Sequence, residues 1–475
     1  MGERTGRNGT CGRVPRICMM KFAAWCGAVV AAVILPATHT GAISHARDHA
    51  EQAHACSRVT GPAGIAPAQW KAGTGASALE RTGMGQLRFR GKDGNELPLH
   101  VYRPASFDAR VGPIWFVMHG RGRDGSRYAR EAAPSAEQYG ALVLAIEFPS
   151  HSYPTGESYT LGVVSRGRAN ESAMKEGRWR KPGDYLYNEV ERTFEAVRSH
   201  IGGTQRGYFI YGHSAGAQFT HRLVTFVPCA RVLGAVAANA GWYTLPDFDG
   251  RHAMPYSLRA TPLSKAEQRA ALAAPLTLLL GTEDTRTAHE DDDVRATPGA
   301  LDQGPDRLSR GRNYFETGRR VAEKLQIPFG WRLELAPGAG HANAHVIASA
   351  ARLLFAPPGE PLCQPDAMPA PGAVVLTRAS PDAPVEIANN GARDVCLAGW
   401  SIQVQGSRKR HVFPIGPALA AGETRALRED GLPADEGVLI LRDSNGQVAA
   451  RLARGECGRP CARTRPSPNQ PRRTA

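Results

Sequence analysis

Short runs that are apolar at nearly every position alternate along this chain with longer stretches in which apolar residues recur every three or four places. "GPIWFVMHG", "ALVLAIEF", "GYFIY", "VLGAVAAN" and "LTLLLG" are of the first kind. A run of that length without polar alternation reads as a strand covered on both faces. "LPLHVYRP" and "WRLEL" are two further expected strands. Between them, "SRYAREAAPSAEQYG" reads as a helix interrupted by Pro134. "GDYLYNEVERTFEAVRSHIG" puts Tyr187, Val190, Phe194 and Val197 on one helical face, with Gly202 suited to its C-terminal end. "AGAQFTHRLVTFV" and "NAHVIASAARLLF" are two more expected helices, and residues 241–275 and 285–312 read as polar, Gly/Pro-rich insertions. Strands that alternate with helices predict an α/β fold, with a mostly parallel central sheet and helices on both faces.

The texture changes at "APPGEPLCQPDAMPAPG", where six of 17 residues are proline. Beyond it, short apolar runs such as "VCLAGWSIQVQ" and "GVLILRD" come between "NNG", "AAGE" and "SNG" turns, an all-β pattern of about 80 residues. No solenoid-length repeat is present.

Composition changes the picture only after the charge is located. The chain of 475 residues carries a net charge of +14, a value that suggests nucleic acid. Residues 1–21 contribute five Lys/Arg and one Glu (+4), and residues 451–475 seven Arg and one Glu (+6), so 10 of the 14 charges lie at the two ends. The basicity therefore does not mark the core as a specific nucleic-acid binder. At the N-terminus, basic residues up to Lys21 precede "FAAWCGAVVAAVILP" and the small residues of "ATHTGA", the pattern of an export signal cleaved near Ala42. That apolar stretch falls short of the roughly 20 residues of a stable membrane span. The expected location is secreted, periplasmic or cell-surface, in a bacterium.

Removal of the leader would leave six of the nine cysteines, namely Cys56, Cys229, Cys363, Cys396, Cys457 and Cys461. An even number in an oxidising compartment permits disulfides, and a bond involving Cys457 or Cys461 is an expectation; six cysteines allow about 15 full pairings. The expected organisation is thus a signal over 1–42, a linker over 43–75, a catalytic domain over 76–357, a Pro-rich linker over 358–371, a β domain over 372–455 and a basic disordered tail over 456–475.

The candidate chemistry centres on "YFIYGHSAGAQF". A serine hydroxyl becomes a useful nucleophile when a base takes its proton and the backbone holds the oxygen out at a strand-to-helix turn. Gly212 and Gly216 suit that turn, and Ser214 sits between them. The bland alternative is a helix N-cap. Upstream, "IWFVM" runs into "HGRGRDG", where the backbone N–H of Arg121 would pair with that of Ala215 to receive an oxyanion. His119 and Gly120 would shape that turn, as His213 shapes the other. Downstream, "LTLLLGTEDTR" ends on Asp284, with Glu283 a rival, and "APGAGHANAH" carries His341 on a Gly-rich loop, with His345 four residues on. Serine, acid and histidine then fall in the order that a nucleophile–acid–base set requires on such a sheet. Trp242 and Tyr243 are candidate walls of the acyl pocket, and the acidic run His289–Asp293 reads as an exposed loop. No dinucleotide, P-loop or zinc motif occurs, so no cofactor or metal is expected.

At "HGRG", "GHSAG", "GTEDT" and "GAGH" the chain resembles the α/β-hydrolase superfamily, over about residues 80–357. "WFVMHGRGRDGSRYA", "YGHSAGAQFTHR" and "AVAANAGWYTLP" look like the secreted esterases of the poly(3-hydroxybutyrate) depolymerase and feruloyl-esterase-like branch; Ala217 departs from it, where many members have glycine. The resemblance implies ester hydrolysis through an acyl-enzyme, with Ser214, Asp284 and His341 as the triad. "PVEIANNGARDVCLAGWSIQ" and "LILRDSNGQVAA" resemble a lamin-tail domain. That resemblance implies a small immunoglobulin-like β-sandwich with Trp400 in its core and a surface or polymer ligand. The reading that results is an exported serine hydrolase of carboxylic esters with a C-terminal targeting module. A serine peptidase on the same scaffold, or an inactive surface-binding protein, are its alternatives.

Overall fold

The computed structural model describes residues 66–70, 76–166, 178–357, 363, 369, 372–378, 385–407, 410–416, 418–427 and 437–453, all within one compact unit. The expected export signal and basic tail, and Cys56, Cys457 and Cys461, lie outside these residues.

Nine strands form the central sheet: β1 (Gln69–Trp70), β2 (Gly83–Arg90), β3 (Glu96–Arg103), β4 (Ile114–Met118), β5 (Leu142–Ile146), β6 (Tyr208–His213), β7 (Val232–Ala238), β8 (Leu276–Gly281) and β9 (Arg332–Ala336). Their order is β1-β2-β3-β5-β4-β6-β7-β8-β9. The pairs from β5 through to β9 are parallel, and β1, β2 and β3 join antiparallel at one edge. Among the described residues six helices of eight or more residues accompany them: α1 (Gly125–Tyr139), α2 (Asn188–His200), α3 (Ala215–Phe226), α4 (Lys265–Ala273), α5 (Arg307–Leu325) and α6 (Ile347–Phe355).

The unbroken apolar strands sort their side chains to two cores. Phe116, Met118, Leu144 and Ile210 face the core completed by Val190 and Phe194 of α2 and Phe219 and Leu223 of α3. Trp115, Val117, Val143 and Tyr211 face the core completed by Ala129 and Ala132 of α1 and Ile347 and Ala350 of α6. Each large apolar side chain buried this way contributes about 1.5–3 kcal/mol. The α/β sheet expected from the pattern is the one found.

Several details differ from the sequence reading, among them α4, which lies within the first expected insertion. Helix α1 continues past Pro134, which forgoes one N–H bond, to the carbonyl of the exposed Arg130. Gln69 and Trp70, inside the expected linker, pair with Arg90 and Phe89 of β2, and the Trp70 ring meets Phe89 edge-on at 6.2 Å. The second expected insertion contains the start of α5, a 19-residue helix.

Beyond α6, β10 (Val374–Arg378), β11 (Glu386–Asn389), β12 (Ser401–Val404), β13 (Arg410–Val412), β14 (Thr424–Ala426), β15 (Val438–Arg442) and β16 (Val448–Ala453) make two small antiparallel sheets, β10-β11-β14 and β13-β12-β15-β16. One apolar cluster joins them, with Trp400, Ile402, Ile387 and Leu441 inside it. Cys363 is disulfide-bonded to Cys396. These sheets meet the α/β unit: Ile415 is buried in the core under α6, and its N–H donates to the Ser349 hydroxyl at 3.0 Å. No helix among the described residues is long and apolar enough to cross a membrane.

Candidate active site

The parallel strands β4, β6 and β8 all end at one edge of the sheet, the edge where such folds place ligands. β6 passes into α3 at Ser214, whose φ of 57° and ψ of −114° lie where a side chain is strained. The turn is as tight as backbone allows. A Cβ on Gly212 would stand 2.1 Å from the Gly216 carbonyl oxygen, and one on Gly216 would stand 2.1 Å from that of Met118. The Ser214 N–H donates to Ala238 O of β7 at 2.9 Å, and Ser214 O accepts the N–H of Gln218 at 3.0 Å. Its hydroxyl makes no helix-capping bond. The oxygen instead stands 3.0 Å from Nε2 of His341.

His341 lies on the loop between β9 and α6, and its Nδ1 is 2.7 Å from Oδ2 of Asp284. Asp284 is buried at 2% exposure just past β8, and its other oxygen faces the buried Arg307 guanidinium at 3.4 Å. Arg307 also donates to Asp291 at 3.0 Å, and the Leu308 N–H donates to Asp284 O at 3.3 Å, so the first turn of α5 sits on the acid. The acid turn and the histidine loop are packed backbone to backbone. A Cβ on Gly281 would meet the Ala339 carbonyl at 2.4 Å, and the Glu283 N–H donates to that same oxygen at 3.0 Å. Asn239, at φ 51° past β7, joins the two: its Nδ2 donates to Gly340 O at 3.2 Å and its Oδ1 accepts the Gly281 N–H at 2.8 Å.

The rivals stand elsewhere. Glu283 carries its carboxylate to Arg410. His345 lies in a short 3-10 turn and its Nδ1 has no hydrogen-bond partner. His119 is fully buried; its Nε2 accepts the Phe148 N–H at 3.1 Å, so Nδ1–H donates to Gly120 O at 2.9 Å. Burial pushes its pKa down to about 4, which keeps the ring neutral. Burial, with His341 nearby, likewise holds His213 well below the usual histidine range. Its ring centre is 4.8 Å from that of His341, and its Nδ1 is 3.2 Å from the Tyr128 hydroxyl. A Cβ on Gly120 would press on that same hydroxyl at 2.6 Å.

Ser214 and His341 open into a cavity of about 430 Å³ that Arg121 and Ala215 also line, with Tyr159 and Trp242 among its walls. Trp242 is held between two guanidinium groups, Arg222 at 4.2 Å and Arg295 at 4.7 Å from its ring centre. Tyr243, the other expected wall, is a core residue stacked on Tyr314 at 4.6 Å. The acidic run expected as an exposed loop forms part of the rim: Asp292 and Asp293 line the cavity, and Asp293 pairs with the Arg121 side chain. No cluster of three or more His, Cys, Asp or Glu among the described residues is arranged to hold a metal ion.

Sequence reasoning missed Asn239, Arg307 and Arg123. Arg123, at φ 57°, donates to the carbonyls of Phe148, Tyr153 and Thr155 and carries the turn after β4. Its only signal in the sequence is the second arginine of "HGRGRDG", beside Arg121, whose backbone N–H is the one expected to act.

Neither a protein-family model nor a curated protein matches the chain. Among solved structures, the chain is 37% identical to poly(aspartic acid) hydrolase-1 from Sphingomonas sp. KT-1, over 58% of this chain and 99% of that one, with a TM-score of 0.53. It is 32% identical to a poly(3-hydroxybutyrate) depolymerase from Bordetella parapertussis, over 59% of this chain and 92% of that one, also with a TM-score of 0.53.

Proposed function

The chain belongs to the α/β-hydrolase family of these two hydrolases, and on that premise we propose that it is a serine hydrolase cleaving carboxylic esters through an acyl-enzyme. The observation that carries the reading is the hydrogen-bonded line Ser214–His341–Asp284, at 3.0 and 2.7 Å, with the serine on a strained turn and free of any cap.

The Asp284 carboxylate accepts Nδ1–H of His341, which leaves the lone pair of Nε2 toward the serine hydroxyl. As Ser214 Oγ bonds to the acyl carbon, its proton passes to Nε2. The carbonyl oxygen gains the negative charge, and the backbone N–H groups of Arg121 and Ala215 donate to it, the latter at the positive end of α3. The imidazolium gives its proton to the departing alcohol oxygen. Water then repeats the sequence, with His341 taking its proton, and releases the acid and the free serine. The relatives' named polymers support a polymeric substrate, and the ring of Trp242 lines the cavity beside the serine. In the same proposal the protein is exported, and the C-terminal sheets form an immunoglobulin-like sandwich of the lamin-tail type that attaches the enzyme to its polymer or surface.

The test is hydrolysis of a short-to-long series of p-nitrophenyl acyl esters by the full chain beside Ser214→Ala. The expected outcome is turnover in the parent that falls by at least about 10³-fold in the variant. Equal rates in the two proteins would end the serine assignment. The likeness to a poly(aspartic acid) hydrolase favours one second reading, amide cleavage at the same serine. It predicts that the parent releases amines from poly(aspartic acid) faster than it cleaves any ester of the series.

A further inference from the structure

The loop that carries His341 has an inner and an outer side. Groups of the α/β unit hold the inner side: Asn239 at Gly340, the Thr282 hydroxyl accepting Gly338 N–H at 2.9 Å, and Tyr211 donating to Asn343 Oδ1 at 2.5 Å. The outer side is covered by the C-terminal sheets. Arg410, the first residue of β13, donates from Nη2 to Gly338 O at 2.9 Å and pairs through the same nitrogen with Glu283. One guanidinium therefore holds both the loop, three residues before His341, and the turn, one residue before Asp284.

Two further contacts flank it. Gly338 and Gly399 both have positive φ, +65° and +81°, and their backbones touch. A Cβ on Gly338 would stand 2.6 Å from Gly399 O, and one on Gly399 would stand 2.6 Å from Pro337 Cβ. Beyond the histidine in sequence, α6 is held as well: Ile415 is buried at 6% exposure in the core cluster that also contains Ala339, Val346 and Ile347, and its N–H donates to the Ser349 hydroxyl. A module that served only for attachment would need a tether and a free outer surface; it would not need close backbone packing at Gly338 before the histidine and a buried anchor at α6 after it.

We propose that the C-terminal sheets are a positioning element of the active site. They hold the His341 loop and the Asp284 turn in register, so that Arg410 and Ile415 act on catalysis through those residues without touching substrate. The inference rests on the serine-hydrolase reading. Misplacing a reacting group by about 1 Å can cost about 100-fold in rate, so partial loosening of this loop has a measurable effect.

The experiment uses the full chain with Arg410→Ala, Arg410→Lys and Ile415→Ala. It reads kcat and KM on a soluble short-chain p-nitrophenyl ester, and hydrogen exchange of the backbone amides of 337–346. Arg410→Ala and Ile415→Ala are expected to lower kcat by about 10-fold with KM within about twofold, and to speed exchange in that loop. Arg410→Lys restores part of both, because an ammonium can still reach the Gly338 carbonyl. Unchanged kcat in folded variants would overturn the proposal, whatever the exchange. So would loss of protection across the whole central sheet, which would mean general destabilisation. A parent without Ser214-dependent turnover is a different result: it defeats the hydrolase reading itself, and the exchange arm alone then decides whether the sheets hold the loop.

Discussion

At the scale of single residues, the site combines a strained serine with neutral, buried histidines around the one that is exposed to the cavity. Arg307 matters here because it is buried beside two carboxylates, Asp284 and Asp291. Its charge offsets the cost of placing the acid away from water, a cost of several kcal/mol for an uncompensated ion. The fully buried His119 gives a pH dependence with a definite sign. Its pKa is about 4 in the folded protein against an ordinary 6.5, so the unfolded chain takes up a proton first as the pH falls. The stability it contributes is complete above pH 6.5 and is lost progressively on the way down to pH 4. The shift corresponds to about 3 kcal/mol, and His213 and His221, also lowered by burial, act in the same direction. Urea unfolding at about pH 7.5 and about pH 4.5 is expected to show the loss, and His119→Asn to reduce it. Equal losses in the two proteins would place the pH dependence in other groups.

At the scale of elements, the Ser214 turn depends on two glycines that let β4, β6 and α3 meet. Gly216→Ala puts a methyl 2.1 Å from the Met118 carbonyl oxygen, a backbone atom that cannot step aside as a side chain would. The expected result is a loss of about 1–3 kcal/mol in urea unfolding together with reduced turnover; a fully stable, fully active variant would show that the crossing has slack. The parallel strands were legible because burial on both faces leaves no polar position to confuse the pattern. The serine turn was legible because only glycines tolerate such a crossing. Helix α5 was not. Its buried face is Arg307, Arg310, Gly311, Tyr314, Thr317, Gly318 and Ala322, which has helical spacing but few apolar residues. Hydrophobic periodicity cannot see a face built from arginines whose partners are distant: Arg310 donates to Gly304, Gly241 and Arg295 carbonyls. Strand β2 was hidden for a related reason, because its outward positions are Met84, Gln86, Arg88 and Arg90, and on the inward face Gly83 and Gly85 leave only Leu87 and Phe89 as apolar side chains. The choice between Asp284 and Glu283 was open in the sequence, since both follow β8. The structure turns one toward His341 and the other toward Arg410, a residue more than 120 positions away.

At the scale of the whole molecule, a disulfide pins the chain near the start of the C-terminal sheets to the Trp400 cluster. Cys363 and Cys396 are 33 residues apart, and closing such a loop stabilises by about 3–4 kcal/mol in the chain-entropy account. Calorimetry of Cys363→Ser/Cys396→Ser is expected to show the C-terminal sheets melting earlier. A single unchanged transition would mean that the bond adds nothing to the interface with the α/β unit.

The burial of Ile415 under α6 also sets a timetable. The core cluster that holds Ala339, Val346 and Ile347 is complete only once its last member, residue 415, has been synthesised, 74 positions after His341 (415 − 341). At about 5–20 residues per second that gap lasts roughly 4–15 s. For that interval a growing chain has its serine and its acid already made while the histidine loop has no outer cover, and a chain that stopped there would present a sticky patch to its neighbours. Arrival of residue 415 is therefore the event that completes this core, and quality control that senses exposed apolar surface would read an unfinished chain from that patch.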